Sequence, residues 1–88
     1  MLSRKEFDKI MNGDSHLENY PNKDNTLLGL NLINKYLPKD YVLTGADHDI
    51  IYSVGVNQLL KAGLTKEDAI ELRNLNWMTQ DDYLACFV

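Results

Sequence analysis

The chain has 88 residues and a mass of 10.1 kDa, with nine basic and thirteen acidic side chains and 44% hydrophobic residues. That length holds one domain, and the apolar fraction argues against wholesale disorder. Cys86 is the only cysteine and closes no intramolecular disulfide; no apolar run reaches the roughly 18 residues of a membrane span, and Met1–Asp8 is too charged for a signal peptide. The expectation is a cytoplasmic protein whose core comes from packing alone.

The charge is uneven. Residues 1–44 balance six cations against six carboxylates, whereas residues 45–88 set three against seven, so the whole formal excess of -4 lies in the second half. Phosphate backbones repel such a surface, which argues against direct nucleic-acid binding and allows a protein partner with a basic surface.

The first helix starts at Ser3. Glu6 completes a capping box, and Leu2 with Phe7 makes a hydrophobic staple. Phe7, Ile10 and Met11 share a face, and Asn12-Gly13-Asp14 ends the helix, which places it over residues 1–11. Residues 12–25 read as a polar loop, long for a compact domain. The α/β core is assigned to residues 26–88, so that 1–88 forms one domain.

A second helix is expected over Thr26–Leu37, capped by Asp24 or Asn25 and closed by Pro38. Leu27, Leu28, Leu30, Leu32, Ile33, Tyr36 and Leu37 cover most of its circumference, which predicts a central, widely buried helix. Gly29 inside it costs about 1 kcal/mol relative to alanine, which points to close approach of another backbone. Tyr41–Thr44 and Ile50–Val54 read as strands joined through Gly45–Asp49 as a hairpin turn. Val56–Ala62 reads as a helical turn ending at Gly63.

A third full helix starts at Thr65, with Asp68 at the capping-box position and Leu64 and Ala69 as staple. Its inward residues are Ala69, Leu72 and Leu75, with Ile70 beside them, and Asn74 and Asn76 offer a left-handed stop. Trp77 closes the core, Thr79–Asp82 turns, and Tyr83–Val88 is the last strand. The order α-α-β-β-α-β-β defines an α+β domain with helices on one face of a three- or four-stranded antiparallel sheet.

Few residues suggest chemistry. Asp47-His48-Asp49 is the one local cluster of acid–base or metal-binding side chains, and nothing in the spacing joins it to His16; turn residues bonding their own backbone account for it. Cys86 has apolar neighbours and reads as a structural thiol. No glycine pattern matches a phosphate loop or a dinucleotide fingerprint, and no cofactor is expected. Among Tyr20, Tyr36, Tyr41, Tyr52, Trp77 and Tyr83, the last stands beside Asp81 and Asp82 and is the interface candidate.

Leu30–Tyr36, His48-Asp49-Ile50-Ile51-Tyr52, Leu64-Thr65-Lys66-Glu67-Asp68 and Leu72–Trp77, followed by a strand through Tyr83 and Phe87, occur in that order. Together they resemble a set of small, largely uncharacterised proteins of bacteriophages and mobile elements. Those proteins usually have glycine where this chain has Asn76, and most lack an insertion between Tyr52 and Leu64. The resemblance implies a phage or prophage origin and supplies no activity.

The leading expectation is therefore a non-enzymatic, acidic interaction module of phage or mobile-element origin. Asp47, Asp49, Asp81, Asp82 and Tyr83 are its partner-binding residues. Size and acidity fit an inhibitor of a host defence system such as a CRISPR effector, by analogy only. Two alternatives are a homo-oligomeric structural module, pairing through the second helix or the last strand, and a small metal-dependent enzyme using His48.

Overall fold

The computed structural model describes residues 1–13 and 23–87. Helix α1 (Arg4–Met11) begins with both bonds of the capping box between Ser3 and Glu6, and the staple residues Leu2 and Phe7 are buried. Helix α2 spans Lys23–Tyr36 and starts three residues earlier than expected, so Asp24 and Asn25 lie inside it rather than capping it. The rest of the expected polar loop, residues 14–22, lies outside the described residues.

Strand β1 is Gly45–Asp47 and β2 is Ile50–Gly55. The expected first strand, Tyr41–Thr44, is displaced: pairing starts at Gly45 and the turn shrinks to His48-Asp49. Thr44 still donates its N–H to the Tyr52 carbonyl at 2.9 Å, and Ser53 Oγ donates to the carbonyl of Val42. These bonds dock the approach segment on β2 without a full ladder.

Helices α3 (Val56–Lys61) and α4 (Lys66–Asn74) follow, and both end in the same way. Gly63 (φ 101°) and Asn76 (φ 65°) are left-handed. Leu64 N–H reaches the Leu59 carbonyl and Gly63 N–H reaches Leu60; Trp77 N–H reaches Leu72 and Asn76 N–H reaches Arg73. Each is a Schellman closure, which satisfies carbonyls that the helix end orphans.

Strands β3 (Met78–Gln80) and β4 (Tyr83–Phe87) form a tight hairpin, so Thr79 and Gln80 belong to a strand rather than to the turn. Its two loop residues, Asp81 and Asp82, have φ of 50° and 67°. Positive φ at both central positions matches the right-handed twist of the flanking strands. The element order is thus α-α-β-β-α-α-β-β, and the sheet runs β1-β2-β4-β3, antiparallel throughout. The α+β expectation holds, with helices packed on one face and α3 as the added element.

The core joins Phe7 and Met11 of α1, Ile33 of α2, Val56, Leu59 and Leu60 of α3, and Ala69 and Leu72 of α4 to Leu84 and Cys86 of β4. Trp77 closes it and is fully buried. Its ring fills the space above Gly29, and Trp77 Nε1 donates to the Asn25 carbonyl at 3.0 Å. Close approach does explain Gly29, but the approaching group is an indole and not a backbone. Helix α2 is also not the widely buried centre that its composition predicts: Leu27 and Leu28 are 55% and 52% exposed, and only part of its apolar surface meets the core. Ile70 of α4 likewise faces outward.

A Cβ at Gly29 would stand 1.9 Å from Trp77 Nε1 and 2.2 Å from Cε2. Gly29→Ala should therefore lower stability by about 1–3 kcal/mol despite the better helix propensity of alanine, read as a lower urea midpoint at an unchanged slope. A Cβ at Gly63 meets nothing within 4 Å, yet φ there is 101°. Gly63→Ala should cost about 1–2 kcal/mol through backbone strain alone, in the same assay.

Candidate functional site

Strand register assigns each β residue to a face, because cross-strand partners share one. Ala46, Ile51 and Cys86 form one row, and Leu84 pairs with Thr79 on the same side. This is the helix-covered face: Ile51 packs on the core cluster that holds Leu84 and Cys86. The other face carries Asp47, Ile50 and Phe87 in one row; Gly45, Tyr52, Ala85 and Met78 in the next; and Tyr83 with Gln80 in the third.

Antiparallel sheets with one face toward water alternate apolar and polar residues. Here the outward positions break that rule. Ile50, Tyr52 and Met78 are half-buried by their neighbours, while Tyr83 and Phe87 remain 49% and 40% exposed. The register between β2 and β4 shifts once between Tyr52 and Gly55. That bulge turns both Ser53 and Val54 into buried residues, while Tyr83 stays on the outward side.

Two shallow concavities flank the aromatic stripe. One, of about 350 Å³, lies between Thr44, Gly45, Tyr52, Gln80, Asp81 and Tyr83. The other, of about 280 Å³, lies between Asp47, His48, Asp49, Ile50 and Phe87. The structure thus gathers four of the five residues singled out in the sequence, Asp47, Asp49, Asp81 and Tyr83, around one surface, with carboxylates at its two ends. It also adds Ile50, Tyr52, Met78 and Phe87. Tyr52 carried a general aromatic signal; the others carried none, because a continuous apolar run does not reveal which alternate positions face out.

Asp82 stands apart. Arg4 Nη2 donates to Asp82 Oδ1 at 2.8 Å, Arg4 Nε to Asp8 Oδ1 at 2.9 Å, and Arg4 Nη1 to Asn57 Oδ1 at 3.1 Å. The two carboxylates, Asp8 first, hold the guanidinium proton more tightly than usual. The Asp82 carbonyl accepts from Val56 N–H at 2.8 Å, which ties the hairpin turn to the start of α3. Asp82 is engaged within the molecule, over a sequence distance that no local motif reveals. Among the described residues, Asp47, Asp49 and Asp81 enter no ion pair.

The His48 cluster is a turn. His48 N–H donates to Asp47 Oδ1 at 2.9 Å. Among the described residues, no three His, Cys, Asp or Glu side chains converge as a metal-binding group. Cys86 is buried, 3.7 Å from Thr26 Oγ1, and burial pushes its thiol above the usual range. Among the described residues, no helix is long and apolar enough to cross a membrane.

Asp68 does not complete a capping box. Thr65 Oγ1 accepts from Asp68 N–H at 3.2 Å, but the Asp68 carboxylate turns to α2, where it accepts from Lys35 Nζ at 2.8 Å and from the Tyr36 hydroxyl. Compared with known proteins, the chain matches no family model, no curated protein and no solved structure.

The Asp68 latch has a defined pH signature. Hydrogen bonds from Lys35 first and Tyr36 second hold the Asp68 carboxyl below its ordinary 3.8, against the opposing effect of burial. The Asp68 bond holds the Lys35 ammonium above its ordinary 10.5. A lowered acid contributes stability that is present above the unfolded pKa and is lost as pH falls through the folded one. A raised base contributes stability that is present below its unfolded pKa and is lost as pH rises through the folded one. Asp68→Asn should therefore trail the native chain in urea midpoint across neutral pH, with the gap closing in strong acid and again in strong alkali. A gap independent of pH would refute the latch.

Proposed function

We propose that the protein is a non-enzymatic interaction module that binds a protein with a basic surface through the outward face of its sheet. The supporting observation is that face itself: Ile50, Tyr52, Tyr83 and Phe87 lie where water-facing strands usually carry polar groups, and Asp47, Asp49 and Asp81 flank them with no ion pair among the described residues. Exposed apolar area with a polar margin is the usual composition of a docking surface, with aromatic residues as its anchors. The carboxylates steer a basic partner and set register.

The resemblance to phage and mobile-element proteins supports action in the cytoplasm of a bacterial host. Size and acidity are compatible with inhibition of a host defence system such as a CRISPR effector. A homo-oligomeric module is the second reading, supported by the exposure of Leu27 and Leu28 on α2.

Affinity capture from a bacterial lysate tests both readings. The captured protein should be lost with Asp81→Lys and with Tyr83→Ala, should dissociate as salt rises, and should survive Leu27→Ser. Capture indifferent to the sheet variants and to salt would sink the first reading. A strict monomer in sedimentation at micromolar concentration would remove the second.

A further inference from the structure

We infer that the outward sheet face receives an amphipathic α-helix of the partner, with a cationic side chain at each end of its apolar stripe. The inference rests on the proposed interaction role and specifies its ligand.

Geometry selects the helix. Four strands at about 4.8 Å spacing make a platform about 14 Å wide, and Tyr83 to Phe87 at about 3.4 Å per residue makes it about 14 Å long. A helix about 10 Å in diameter fits that width. An added strand would need a sheet edge instead, and both edge strands, β1 and β3, are only three residues long. Such edges offer few main-chain bonds.

Charge selects the ends. Asp47 and Asp49 stand beside Phe87 at one end, and Asp81 stands beyond Tyr83 at the other. Along the strands the acidic ends are about five residues apart, and across the sheet the β1–β2 and β3–β4 turns are about two strand spacings apart, so the diagonal between them is roughly 20 Å. Fourteen helical residues rise about 21 Å and return to nearly the same helix face after about four turns. Lys or Arg at positions i and i+14, with apolar residues between them at helical spacing, meets both ends at once.

Charge also excludes a second copy. None of the paired outward positions carries a cation. A twofold pairing that aligns the apolar stripes of two copies brings carboxylate ends against carboxylate ends, a repulsive arrangement.

Titration of the isotope-labelled full chain with designed peptides, followed by amide chemical shifts, tests the inference. The probe is an 18-residue helical peptide with a Leu/Met stripe and lysines at i and i+14. The expected result is saturable shifts confined to residues 45–52 and 78–87, with affinity falling roughly tenfold when the lysines become glutamates or when Asp81→Lys is introduced. Glu71→Gln, which removes an exposed carboxylate on α4 rather than on the sheet, should leave affinity unchanged. Equal binding of a peptide of the same composition in alternating order overturns the helix, as does absence of shifts with every peptide. Shifts centred on Leu27 and Leu28 overturn the site. Self-association abolished by Phe87→Ala overturns the exclusion of a second copy. Lysate capture that depends on Tyr83 while no helical peptide binds refutes this inference and leaves the interaction role standing.

Discussion

One residue, Trp77, sets the geometry on which the two layers depend. Its N–H makes one bond of the Schellman closure of α4 and it precedes the first residue of β3, so its backbone joins the helical layer to the sheet. Its ring rests on Gly29 and its indole N–H donates to the Asn25 carbonyl, which fixes α2 across the same junction. A buried indole N–H without an acceptor costs about 1–3 kcal/mol, so the helix must sit where a carbonyl faces the ring. Gly29 is the condition for that placement. A helix-weakening residue is retained because any side chain there would push α2 away from the indole.

Around this junction, two polar clamps tie elements of the core together near the surface. Arg4 joins α1 to Asn57 at the start of α3 and to the β3–β4 turn, and Asp68 joins the start of α4 to the end of α2. Neither is deeply buried, and surface pairs contribute little each. Their effect is positional. The Asp81-Asp82 turn is left-handed at both residues, a conformation that aspartate tolerates less readily than asparagine or glycine. Arg4 and the Val56 N–H both bind Asp82, and so hold the turn that presents Asp81 and Tyr83 at the rim of the sheet.

Local chemistry made most of the elements readable. Ser3 with Glu6, Thr65 before α4, Gly63 and Asn76 after their helices each act within a few residues, and each appears where its sequence pattern places it. What failed depended on distant partners. The apolar circumference of α2 predicted wide burial, but Leu27 and Leu28 face outward because Trp77 and α4 occupy only one side of the helix. Asp68 had the right spacing for a capping box and turned instead to Lys35 and Tyr36, 33 and 32 residues away. The outward sheet face was legible only at Tyr83 and at the carboxylates of its two ends, Asp47, Asp49 and Asp81. Ile50 and Phe87 become neighbours through the β2–β4 register, which a bulge shifts and no local pattern encodes.

The same distinction refines the meaning of the acidic half. A net charge of -4 describes a molecule, whereas a partner meets particular carboxylates. Asp82 is neutralised by Arg4 and Asp68 by Lys35, so neither offers a free charge. Asp47, Asp49 and Asp81 enter no ion pair among the described residues, and the fold sets them at opposite ends of an aromatic stripe. An isolated surface carboxylate contributes little to affinity, because water and salt screen it. Beside Tyr83 or Phe87 the balance changes: docking of an apolar partner expels water, which strengthens attraction to a cation on the same partner and raises the cost of meeting a wrong charge. In the proposed docking, the apolar rows supply contact area, and the three carboxylates decide which apolar surfaces are accepted.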